Sequence, residues 1–105
     1  MSTFTMINNI LAGNHEIPED SILSQTVLSQ PDLRVILFRF ARGQELSEHT
    51  AAKPALLHFL EGEAVVTLGD SVQEAGSNTL IHMEANLPHS IEARTAVSML
   101  LVLLG

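Results

Sequence analysis

Residues 43–70 read GQELSEHTAAKPALLHFLEGEAVVTLGD, and the punctuation of this stretch decides the fold class. Pro54 opens a short apolar run from Ala55 to Leu60 that is closed by a Glu61-Gly62-Glu63 turn. Proline fixes φ and lacks an N–H, so it suits the first position of a strand better than its middle. Ala64 to Leu68 follows, with β-branched Val65, Val66 and Thr67 at its centre, the residue type that packs well on a pleated surface. Gly69-Asp70 is a two-residue hairpin signal, since both central positions of such a turn favour a positive φ.

The same rhythm extends outward. Upstream, Ser21 to Leu28 is broken by Ser29-Gln30-Pro31-Asp32, and Leu33 to Ala41 (LRVILFRFA) is closed by Gly43. Downstream lie Val72 to Ala75, Thr79 to Met83, Ser90 to Ala93 and Val97 to Leu104. Seven to nine short strands separated by turn residues, with no long helical pattern, predict an all-β sandwich or barrel. Residues 21–105 form that barrel domain. Residues 1–20 form an N-terminal arm of the same unit, with a short helix or extended segment over Thr5 to Ala12, a stop at Gly13 and a loop over Asn14 to Asp20. Neither an internal repeat nor a second domain is visible.

Composition narrows the function classes. The 105 residues are 46% apolar and only 16% charged, which argues for a folded core and against disorder. Five Lys and Arg against twelve Asp and Glu give a net charge of −7, so no basic face is expected for nucleic acid or for an anionic membrane. The absence of cysteine excludes disulfides, thiol nucleophiles and thiolate metal sites. The first twenty residues lack the cationic start and continuous apolar stretch of a signal peptide. The apolar run Ala96 to Leu104 is too short to span a bilayer. The expectation is a cytoplasmic protein. With no Trp, no Tyr and four Phe, stacking platforms are scarce and the core must rest mainly on Leu, Val, Ile and Ala.

Two segments carry a family resemblance. Gly43 is followed by five residues and then His49, and the run ends in Leu60-Glu61-Gly62-Glu63. Further on, MEANLPHSIEA at 83–93 contains the step Pro88-His89. These segments resemble the two motifs of the cupin family, which implies a double-sheet jelly-roll barrel with His49 and His89 as ligand positions inside it. Three departures stand out. Ala51 occupies the place of the family's second histidine, Ala55 that of its glutamate, and Glu84 that of a proline. Asn78 takes the usual glycine position, an inexpensive exchange because Asn tolerates a left-handed backbone.

The resemblance thus retains His49 and His89 as metal ligands, with His82 as a third if it faces inward; strand alternation groups His82 with Leu80 and Glu84, and Ile81 with Met83, without saying which set is inside. If Ala55 is inward, then Leu57 and Phe59 point inward and His58 outward. His15 falls in the N-terminal loop. The bland alternative for the paired histidines is a hydrogen-bonded remnant, and for His58 and His82 a surface or interface role. Leu57, Phe59, Met83, Phe38 and Phe40 either line a ligand pocket or simply pack as core. No catalytic residue can be named: Ser47, Glu48 and His49 are chain neighbours whose side chains alternate between faces, which does not build a triad.

Two functions follow from the resemblance. One is a protein that binds a small metabolite in the barrel, either directly through imidazoles or through one loosely held divalent metal. The other is a metal-dependent enzyme of the dioxygenase, isomerase or decarboxylase type. A structural or regulatory role is a third reading. The strands Leu33 to Phe40 and Ala96 to Leu104 are apolar on both faces, more than one barrel interior needs, so a homodimer is expected.

Overall fold

The computed structural model describes residues 3–11 and 16–105. The described residues form nine strands, β1 (Ile22–Gln30), β2 (Leu33–Phe40), β3 (Glu45–His49), β4 (Ala55–Glu61), β5 (Ala64–Leu68), β6 (Ser71–Ala75), β7 (Leu80–Met83), β8 (His89–Ala93) and β9 (Val97–Leu104). They make two antiparallel sheets, one of five strands in the order β1-β2-β9-β4-β7 and one of four in the order β3-β8-β5-β6. The all-β expectation holds and the packing is that of a jelly roll.

No helix occurs among the described residues, which corrects the helical option for Thr5 to Ala12 over its described part. The physical reason is local. Thr5, Ile7 and Ile10 are β-branched, and the Asn9 side-chain oxygen accepts the Leu11 N–H at 3.1 Å, a local bond that competes with helix formation. Ala12, the stop at Gly13, Asn14 and the loop histidine His15 lie outside the described residues. β3 has Leu46 as its sole apolar residue, so no apolar pattern marks its bounds in the sequence.

Turn chemistry follows the sequence. Leu68 pairs with Ser71 across Gly69-Asp70, and Gly69 has φ +59°. Asn78 has φ +68°, the left-handed conformation expected of it. Gly62 is needed for room as well as for its φ of +92°, because a Cβ there would meet the Ala96 carbonyl and lie 2.9 Å from Val97 Cα.

The two sheets sandwich a core whose large members are Phe40, Phe59, Leu57, Ile91, Met99, Val66 and Val97, each under 2% exposed. On the five-stranded sheet the inward row includes Ala55, Leu57 and Phe59, paired with Leu103, Leu101 and Met99. Met83 and Ile81 share that face through the pairs Ala55–Met83 and Leu57–Ile81. On the four-stranded sheet Ala64, Val66 and Leu68 face inward with Ala93, Ile91 and His89.

The outer faces differ. The four-stranded sheet shows Glu45 opposite Glu92, then Val65 and Glu74 in the same row. The five-stranded sheet shows Leu33, Val35 and Leu37 paired with Leu104, Val102 and Leu100, and beyond them Leu56 and His58 on β4.

Candidate functional site

Two histidines meet at one end of the barrel. His49 closes β3 and His89 opens β8, and the two are direct cross-strand partners. On the far side of His89 its partner is Leu68, the last residue of β5. The imidazole centroids are 4.1 Å apart with the rings inclined at 57°. His89 is buried, at 4% exposure, whereas His49 opens to solvent. The forty positions that separate them in sequence are closed by the sheet itself.

Both rings are held by one local device. His49 Nδ1 lies 2.8 Å from the Ser47 carbonyl oxygen, and His89 Nδ1 lies 2.9 Å from that of Leu87. A carbonyl can only accept, so each Nδ1 carries the proton and donates. Each Nε2 is then a free lone pair in the neutral ring, the arrangement through which imidazoles bind metals or accept from ligands. Pro88 fixes the approach to the second ring, and its carbonyl accepts the Gly69 N–H at 2.8 Å. Burial pushes the His89 pKa below its usual value, and the neighbouring His49 pushes in the same direction, while the bond to Leu87 opposes them. His89 is therefore a neutral acceptor near pH 7.

The other expected site residues fall elsewhere. His82 pairs with Leu56 on the outward side of the five-stranded sheet and is exposed; as a third ligand it is corrected, because strand alternation puts Ile81 and Met83 inward instead. His58 points outward, as expected from inward Leu57 and Phe59. Leu57, Phe59, Met83 and Phe40 are at most 2% exposed and belong to the hydrophobic core, with partly buried Phe38 packed against it. The Phe38 and Phe40 rings are 6.3 Å apart. In this structure these five residues belong to or pack against one hydrophobic cluster, and a surface cleft elsewhere is lined by Arg39 and Arg42 beside Glu16 and Glu19. Ala55 is 1% exposed and inward, so the position where the family carries glutamate is placed as the resemblance implies and holds a methyl group.

The donor set tests whether a resident metal fits. Among the described residues no group of three or more His, Asp or Glu side chains comes together. Metal sites of this kind take three protein ligands or more. Two imidazoles with Ala51 and Ala55 in place of further donors do not make a tight site. What sequence reasoning missed were the Ser47 and Leu87 carbonyls that set both tautomers; any residue supplies a carbonyl, so no side-chain signal marks them.

No family model matches the sequence, and no curated protein matches it. Solved structures do. A cupin superfamily protein from Desulfitobacterium hafniense is 29% identical, with a TM-score of 0.82 over 90% of this chain and 86% of its own. The chain belongs to the cupin superfamily. A cupin 2 conserved barrel domain protein from Leptotrichia buccalis is 28% identical, with a TM-score of 0.81, over 90% of this chain and 46% of its own. Salicylate 1,2-dioxygenase from Pseudoaminobacter salicylatoxidans shares the fold, with a TM-score of 0.76 over 87% of this chain and 28% of its own, at 14% identity. At the four positions that the resemblance singles out, this chain has His49 and His89, with Ala51 and Ala55 at the other two.

Proposed function

We propose that this cupin is a small-molecule-binding protein whose ligand is held at the barrel end by His49 and His89, without a resident metal. The reading is supported above all by the matched pair of Nδ1–H tautomers, which turns two adjacent Nε2 atoms into acceptors. Binding sites are mostly apolar surfaces with a few placed polar groups. Neutral acceptors select a ligand that brings its own O–H or N–H donors, such as a small hydroxylated or enolic compound. A carboxylate would find no donor in a neutral His89. The exposed His49 admits the ligand and the buried His89 fixes its orientation.

The test uses metal-free protein, a panel of small hydroxylated, enolic and carboxylic compounds, and the imidazole resonances of His49 and His89. Binding by the donor-bearing compounds, lost in both His49→Ala and His89→Ala, is the expected result. Near one metal per chain in protein purified without a histidine tag, removed by His49→Ala, would replace this reading with the metal-dependent enzyme.

A further inference from the structure

We infer that Asn86 is a positioning residue of the histidine pair: its left-handed backbone sets the carbonyl that holds the His89 ring. Its consequence for ligand affinity rests on the binding role proposed above, whereas its geometry does not.

Glu84 to Leu87 make the turn between β7 and β8, closed by the Leu87 N–H on the Glu84 carbonyl at 3.4 Å. Asn86, third of the four, has φ +67°, a value that Gly or Asn meets with least strain. From this turn three successive residues reach three different elements. The Asn86 N–H donates to the Ala51 carbonyl at 2.7 Å, in the loop two residues beyond His49. The Leu87 carbonyl accepts from His89 Nδ1 at 2.9 Å. The Pro88 carbonyl accepts the Gly69 N–H at 2.8 Å, on the β5–β6 hairpin. The Leu87 carbonyl is thus pinned from both sides, toward β3 by Asn86 and toward the hairpin by Pro88, and the Leu87 side chain packs against the core.

The sheet alone does not fix this corner. The β3–β8 register shifts between Leu46 and His49, so Ser47 and Glu48 stand opposite Ser90 alone. Such a bulge re-aims side chains and interrupts the ladder. The Asn86–Ala51 bond supplies the next cross-link, and the two rings are bracketed by Leu46–Ile91 on one side and Ala51–Asn86 on the other. The rings therefore take their tautomers from separate sources. His49 Nδ1 donates to the Ser47 carbonyl inside the bulge, and His89 Nδ1 donates to a carbonyl outside the ladder, one residue after Asn86. Only the second should depend on Asn86.

That asymmetry is the test, read by ¹⁵N imidazole spectra of the metal-free full chain at alkaline pH, where imidazoles are neutral, with thermal melts to confirm folding. Asn86 is exposed, so substitution leaves the core untouched. Asn86→Val puts a β-branched residue at a φ it avoids. The His89 tautomer ratio should move away from Nδ1–H about fivefold, the equivalent of one hydrogen bond, while the His49 spectrum stays as in wild type. Asn86→Ala should move it in the same direction by less, and decides the matter if the valine variant does not fold. Asn86→Gly, which keeps the backbone conformation, should match wild type at both rings. Folded Val and Ala variants with an unchanged His89 would overturn the inference. So would an equal change at His49 and His89, which would mean a general loosening of this end. A glycine variant as altered as the valine variant would overturn it too, giving the role to the amide side chain. No ligand enters this measurement, so a wild type that binds none of the donor-bearing compounds would end the binding reading and leave the role of Asn86 standing.

Discussion

The two ends of this barrel are packed on different plans. At the end away from the histidines, the four-stranded sheet contributes a row of small residues, Ala93, Ala64 and Ala75, while the five-stranded sheet contributes Phe40 and Val97, with Phe59 one step in. Large side chains from one sheet fill space left by small ones on the other, as close packing demands. At the histidine end both sheets contribute large side chains. The four-stranded sheet supplies the row His49, His89 and Leu68, and the five-stranded sheet supplies Ala55 between Met83 and Leu103. One end is a sealed hydrocarbon plug; the other exchanges hydrocarbon for imidazole and opens to solvent at His49. Stability should reside in the first and binding in the second.

The largest effect should come from opening the plug. Phe59→Ala removes a fully buried ring and should cost about 3–5 kcal/mol, read from denaturant titration. An effect as large from His49→Ala would break the division between the ends. Gly62→Ala comes next. It puts a Cβ against the Ala96 carbonyl and Val97 at φ +92°, where backbone rather than flexible side chain must move, and should cost roughly 3 kcal/mol. Asn78 marks the same end, its N–H donating to the Phe59 carbonyl at 2.8 Å. Asn78→Ala should cost about 1 kcal/mol because its φ of +68° disfavours a Cβ without a local polar group, and Asn78→Gly should be close to neutral in the same measurement.

The plug was more legible in sequence than the open end, for physical reasons. The apolar runs Leu33–Phe40, Ala55–Leu60 and Val97–Leu104 announce strands because burial demands them, and Gly69-Asp70 and Asn78 announce turns because positive φ demands them. β3 has no such demand: four of its five residues are exposed, so alternation leaves no apolar signature. The side of β7 on which His82 lies was equally hidden. Its four residues, Leu80–Met83, are apolar on both parities, and only the register with Ala55 and Leu57 decides that Met83 is inside. At the site, the motif spacing brought His49 and His89 forward, but the tautomers depend on backbone carbonyls that side-chain patterns do not encode. The N-terminal segment misled because weak apolar periodicity over Thr5 to Ala12 had to compete with β-branched residues and an Asn9 side chain that bonds its own backbone.

The smallest effect is the most specific to the open end, and it concerns pH. His89 is held below its ordinary value of 6.5 in the folded chain, first by burial and then by His49. The unfolded chain has no such burden and takes up its proton at the usual value. Between the lowered folded pKa and about 6.5 the unfolded state therefore binds more protons. Stability contributed by neutral His89 is complete above 6.5, declines as pH falls below it, and stops declining once the folded ring titrates as well. His89→Leu removes the titrating group while keeping a buried apolar side chain. The difference in melting temperature between wild type and this variant should be constant above about pH 7 and should shift in favour of the variant as pH falls toward 5. His49→Ala should shrink that shift without abolishing it, because the histidine neighbour is the smaller of the two lowering causes. A difference that stays flat from pH 8 to pH 5 would mean that His89 titrates alike folded and unfolded, and burial would not be what keeps this acceptor neutral.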